Sequence, residues 1–152
     1  MLKESYKDLE FIFDEENGTT VCQMTYDKRP FYGNSTCAPE DMDMLSKKTG
    51  QEIAFNRASI QVLRYEKARL NIELKALKSL YYSINTSKRY NPKSYEATML
   101  KRQMDMREND IAQLTADIRE IQNHITSYIN EKDKFYKELR KIRERQTQDN
   151  KN

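Results

Sequence analysis

The chain reads as an α+β protein, mainly α: a small three-stranded antiparallel β-meander head followed by a long antiparallel coiled-coil helical hairpin. Three observations predict this. Two runs of apolar residues recur at alternating steps of three and four, a short polar break separates them, and a β-branched stretch punctuated by turns precedes both. A 3.5-residue repeat lays a narrow apolar seam along a helix, and such a seam must be covered by another helix.

The head comes first. Leu9, Phe11 and Phe13 alternate with Asp8, Glu10 and Ile12, the period of a half-buried strand. Asn17-Gly18 then supplies a dipeptide suited to positive φ in a tight turn. TTVCQMTY at 19–26 is rich in β-branched residues; a turn around Asp27 to Pro30 and a third strand near Phe31 to Cys37 follow. Three strands this short need a cover on one face, and the helical segment after Pro39 is the nearest candidate.

The first seam comprises Ile53, Asn56, Ile60, Leu63, Lys67, Leu70, Leu74, Leu77, Tyr81 and Ile84. The second comprises Ala97, Leu100, Met104, Arg107, Ile111, Leu114, Ile118, Ile121, Ile125, Tyr128, Lys132, Phe135, Leu139 and Ile142. Thr49 and Glu52 have capping-box spacing. The expectation is nonetheless a continuous helix from the low forties that tolerates Gly50 at a cost of about 1 kcal/mol. The break lies at Asn85 to Asn91, and Asn91-Pro92 offers a cap and a first helical position for a helix reaching about Arg145. Folding back with Ile84 opposite Ala97 sets Leu70 against Ile111, Leu63 against Ile118 and Leu74 against Arg107. Asn56, Lys67 and Arg107 interrupt the seam as register-fixing residues, and the charged heads of Lys67 and Arg107 can extend past it to water. The domains so defined are a head at 1–45, a hairpin at 46–145 with its turn at about 85–91, and a polar tail at 146–152.

Composition agrees with long solvated helices. Charged residues make up 34% and hydrophobic ones 37% of 152 residues, with three Gly and three Pro, too polar for a thick globular core. Net charge is only +3 but unevenly placed. Residues 1–50 carry 6 Lys/Arg against 10 Asp/Glu, whereas 75–102 carry seven basic residues against the single acid Glu96. Cys22 and Cys37 lack CxxC spacing, so free thiols in a reducing compartment are expected. No stretch reads as a signal peptide or a membrane span, and the expected location is cytoplasmic, with no membrane contact.

Two surfaces stand out. Tyr82, Lys88, Arg89, Tyr90, Lys93 and Tyr95 crowd the hairpin turn, and aromatic rings interleaved with cations suit nucleic acid or an acidic protein face. In the head, Asp14, Glu15, Glu16, Glu40, Asp41 and Asp43 form an acidic set able to imitate phosphate. No catalytic residues emerge, because the chain has no glycine-rich phosphate loop, no nucleophile motif and no His-centred acid–base pair. His124 has no companions at ligand spacing, so neither a metal site nor a cofactor is expected.

From Gly33 to Ala58 the chain resembles a segment found in small, mostly uncharacterised proteins of bacteriophages and mobile elements of Gram-positive bacteria. The matching residues are Gly33, Ser35, Cys37, Pro39, Glu40, Asp41, Gly50, Ile53, Ala54, Arg57 and Ala58. The strand–strand–strand–helix order is also similar to the later part of a double-stranded-RNA-binding fold, with Ser46-Lys47-Lys48 at the basic start of its last helix. The resemblance implies a phage-type accessory protein and carries no catalytic residues.

The expected function is that of a non-catalytic binding protein. It docks on a host protein or ribonucleoprotein complex, such as a nuclease or CRISPR-type defence complex, and inhibits it by occlusion. Direct nucleic-acid binding through the basic turn is the alternative, and a structural or scaffold component a third. Monomer and homodimer are both open, since Ile72, Leu80 and Ile129 lie off the seam.

Overall fold

The computed structural model describes residues 8–37, 47–86 and 94–151. Strands β1 (Leu9–Asp14), β2 (Thr19–Tyr26) and β3 (Arg29–Thr36) form one antiparallel sheet in the order β1-β2-β3. Two long helices follow, α1 (Lys47–Asn85) and α2 (Tyr95–Lys151). The fold is the α+β, mainly α arrangement that the two seams and the turn-punctuated strands predict. The chain divides into two compact units, one of residues 1–61 with 120–152 and the other of residues 62–119.

In the first unit the sheet alternates as a one-sided sheet should. Thr20, Cys22 and Met24 of β2 are fully buried, and their cross-strand partners Ser35 and Gly33 are buried beside them. The turn after β1 is closed by Asp14, whose Oδ1 accepts the Glu16 N–H at 3.0 Å and whose Oδ2 accepts Asn17 Nδ2 at 2.7 Å. Of the Asn17-Gly18 pair only Gly18 takes positive φ, at 61°. The second turn is tighter than expected. Tyr26 pairs directly with Arg29 across the two residues Asp27 and Lys28, whose φ values are 51° and 60°. Two central residues with positive φ make a type I′ hairpin. Pro30 consequently lies within β3 rather than in the turn.

The α1 segment of this unit covers β2 and β3 with small residues. Ala54 and Ala58 are fully buried, and Ser59 donates to the Phe55 carbonyl at 2.9 Å while its hydroxyl lies 4.0 Å from the Met24 sulfur. Gly50 is inside the helix, so Thr49 and Glu52 do not mark its start. The absence of a side chain at 50 has a packing cause: an added Cβ would meet Thr20 Oγ1, and the Gly50 carbonyl accepts Ser35 Oγ at 2.9 Å. The expected helical stretch before Lys47 lies outside the described residues.

The α2 segment of this unit departs from the seam. Phe135 is 55% exposed and Ile142 is exposed, whereas Tyr136 is only 9% exposed and Ile129 is half-buried. A straight helix at 3.6 residues per turn drifts against a 3.5 repeat unless a helical partner holds it. Here α2 shares the lining of a cleft with residues of the sheet, so its buried side turns from Phe135 and Ile142 toward Ile129 and Tyr136, while the seam residue Lys132 stays half-buried. The helix also continues through Gln146 to Lys151, where fraying was expected, since no Gly or Pro stops it.

In the second unit the helices pair antiparallel along the expected seam. Leu63, Leu74, Ala97 and Ile118 are buried, and Leu70, Leu77, Ile111 and Leu114 are half-buried. Arg107 stays partly exposed and also finds a partner across the seam: its Nε lies 2.8 Å from Glu73 Oε2, next to the Leu74 that the register puts opposite. Lys78 and Glu108 add a cross-helix pair at 3.6 Å. α2 begins at Tyr95, three residues beyond the expected Pro92, because the Ser94 hydroxyl caps the Ala97 N–H at 3.2 Å.

Candidate functional site

The expected turn surface is described in part. Tyr82, in the last turn of α1, is 69% exposed, and Tyr95, the first residue of α2, is 75% exposed. Lys88, Arg89, Tyr90 and Lys93 lie outside the described residues. The cations flanking the two tyrosines are Lys75 and Lys78 on α1 and Lys101 and Arg102 on α2, all exposed. Lys78 reaches only the exposed Glu108, and Lys75, Lys101 and Arg102 hold no ion pair among the described residues. An exposed ring costs little entropy to bury on binding, and an unpaired cation adds attraction to an anionic surface.

Of the acidic set, Glu15 and Glu16 are exposed in the first hairpin turn, and Glu40, Asp41 and Asp43 lie outside the described residues. Asp14 has a structural task. The Asn17 side-chain amide, with the main-chain N–H groups of Asn17 and Glu16, holds its carboxyl below the usual carboxylate range. It ends β1 by satisfying the turn.

A cleft of about 180 Å³ opens in the first unit, in a place that no single sequence segment indicates. Thr20 and Ser35 of the sheet, Gly50, Ile53 and Arg57 of α1, and Ile129, Lys132 and Tyr136 of α2 contribute to its wall. Arg57 is held by its own Nη1, which donates to the Asn34 carbonyl at 2.7 Å. Lys132 Nζ lies 5.4 Å from the centre of the Tyr128 ring. Pro39, Glu40 and Asp41 of the Gly33–Ala58 resemblance lie outside the described residues. Beside the cleft, others of the set join β3 to α1: Gly33 against Ala54 and Ala58, Ser35 on Gly50, and Arg57 over β3. Within this structure they are the two halves of the β3–α1 contact, which gives the spacing a packing reason.

Chemistry of other kinds finds little footing among the described residues. No group of His, Cys, Asp and Glu could hold a metal ion. Burial pushes the Cys22 thiol up to about 11, so it stays protonated and unreactive at neutral pH. Cys22 and Cys37 form no disulfide, and His124 faces Glu52 at 3.7 Å on the exposed flank of α2. Among the described residues no helix is long and apolar enough to cross a membrane. Comparison with protein-family models, with curated proteins and with solved structures found no match.

Proposed function

We propose that this protein is a non-catalytic, phage-type accessory protein that binds host nucleic-acid-processing or defence machinery, such as a nuclease or a CRISPR-type complex, and inhibits it by occlusion. The contact is made at the turn end of the hairpin. One observation carries the reading: Tyr82 and Tyr95 stand exposed at the adjoining ends of α1 and α2, among exposed cations of which Lys75, Lys101 and Arg102 hold no ion pair among the described residues. Large amphipathic rings beside basic groups are the residue types that anchor binding interfaces on anionic partners. The strand–helix segment 33–58 supports the phage-type assignment by its resemblance alone.

Capture from host extract, before and after nuclease treatment, tests this. The wild-type chain should retain a protein complex that survives nuclease, and Tyr82→Ser with Tyr95→Ser, or Lys101→Glu with Arg102→Glu, should lose it. Retention unchanged in both variants would remove the hairpin end as the contact. The excess of basic residues at 75–102 favours a second reading, direct binding to nucleic acid. In that case capture disappears with nuclease, and affinity for bare nucleic acid falls steeply with salt.

A further inference from the structure

Among the described residues β1 is an edge strand, bonded to β2 on one side only. The Thr25 N–H donates to the Asp8 carbonyl at 3.3 Å, which marks Asp8 and Thr25 as a hydrogen-bonded pair. Such pairs alternate along an antiparallel ladder. Glu10, Ile12 and Asp14 therefore direct their main-chain groups toward β2, while Leu9, Phe11 and Phe13 direct theirs to the free edge. None of these edge groups has a partner among the described residues. The same residues carry the apolar side chains of the face that holds Cys22 and Met24, and they are incompletely covered, Leu9 being 41% and Phe11 36% exposed. On the other face Ile12 is 61% exposed.

The opposite edge of the sheet is guarded. By the same alternation Pro30, Tyr32, Asn34 and Thr36 face outward from β3. Pro30 has no N–H to offer, and the Asn34 carbonyl is taken by Arg57. Proteins blunt sheet edges with proline, cations and covering elements. β3 has such devices; β1 contains no Pro, Lys or Arg, and the cation that lies against it, Lys47, sits over the Phe13 ring at 5.4 Å rather than on the main-chain edge.

We propose that β1 is a homodimer interface: two copies join edge to edge and antiparallel, with Phe11 at the two-fold axis. In that register Phe11 pairs with the second copy's Phe11, and Leu9 with the second copy's Phe13. Each of the three residues meets a residue whose main-chain groups also face the edge, so every outward N–H and C=O of both strands is bonded. A slip of two residues leaves some of them unpaired. A slip of one sets edge-facing groups against inward-facing ones. The apolar side chains of both copies then form one stripe across a six-stranded sheet. On the other face Glu10 lies opposite the second copy's Ile12. Asp8 lies opposite the second copy's Asp14, whose carboxylate is turned onto Asn17 and Glu16. A foreign strand would need this spacing and this stripe by coincidence; a second β1 has both by symmetry.

Sedimentation equilibrium of the full chain over a micromolar series tests the pairing, with variants at the exposed Ile12. Ile12→Lys places a cation opposite the second copy's Glu10 and should tighten the dimer; Ile12→Glu should loosen it. Because each contact occurs twice, the change should be about 2- to 30-fold in either direction. Position 12 is exposed, so far-UV circular dichroism should be unchanged by either variant. In a Cys22→Ala, Cys37→Ser background, which removes the thiol directly opposite position 11 on β2, Phe11→Cys should form a disulfide-linked dimer on oxidation, whereas Ile12→Cys should not. A chain that stays monomeric across the series overturns the proposal. So does a dimer whose affinity neither Ile12 variant moves.

Discussion

Gly33 of β3 rests on the main chain of α1, its open side against the Ala54 carbonyl and the Ala58 amide together. No side chain fits between them, because an added Cβ would collide with backbone atoms that cannot step aside. The same closeness lets Ser35 reach the Gly50 carbonyl and Arg57 reach the Asn34 carbonyl. Gly33→Ala should therefore push α1 off the sheet and cost about 3 kcal/mol, the upper part of the usual range for overpacking. Urea unfolding followed by circular dichroism would measure it. A loss no larger than that of an exposed substitution such as Glu10→Ala would contradict the packing.

Asp14 makes the first hairpin sensitive to acid. Its folded-state pKa is depressed, chiefly by the Asn17 side-chain amide, so the unfolded chain takes up the proton at higher pH than the folded one. The stabilisation is then present above the unfolded carboxylate pKa and disappears as pH falls through the folded value. Asp14→Asn should lower the melting temperature at pH 7 and make no difference once the pH is below the carboxylate range. A gap between the two proteins that stays constant with pH would exclude this role.

The parts of the fold that are legible in sequence are those specified by local periodicity. The α1 seam from Ile53 to Ile84 contains no exposed residue, because a 3.5 repeat states which side a partner helix will cover. The repeat misleads at Phe135 and Tyr136, where the neighbours of α2 include strands and nothing holds it to heptad register. Ser94 and Asn91 are both good caps, and local chemistry alone does not rank them. Gly33, Ala54 and Ala58 are recognisable as a spaced set, yet their contact joins residues about twenty positions apart in sequence. The cleft of Arg57, Lys132 and Tyr136 is harder still to anticipate, since it is assembled from the sheet and both helices. Of the turn surface, Tyr82 and Tyr95 are exposed, and Lys88, Arg89, Tyr90 and Lys93 lie outside the described residues.

The type I′ turn at Asp27 and Lys28 carries a local strain that is simple to relieve. Asp tolerates left-handed φ, but a lysine there brings its Cβ close to the following carbonyl, at about 1 kcal/mol or more. Lys28→Gly keeps the two-residue loop that Tyr26 and Arg29 close. It should raise stability by about 1 kcal/mol, roughly 3 °C for a chain of this size. Differential scanning calorimetry decides it: an unchanged or lower melting temperature would mean that the lysine pays no such penalty.

Arg107 and Glu73 offer a direct measurement of what a polar residue contributes to the seam. Their contact is 2.8 Å long, but the side chains remain 30% and 42% exposed, so solvent screens much of the attraction. A double-mutant cycle with Arg107→Met and Glu73→Gln should return a coupling of about 0.3 to 1 kcal/mol that shrinks in high salt. Arg107→Leu alone should behave differently, since the register places Leu74 opposite and an apolar side chain would close the seam there. That variant should be no less stable than the parent, because burying hydrocarbon offsets a screened ion pair. If stability instead fell by more than the measured coupling, the arginine would be holding the helices through contacts beyond Glu73.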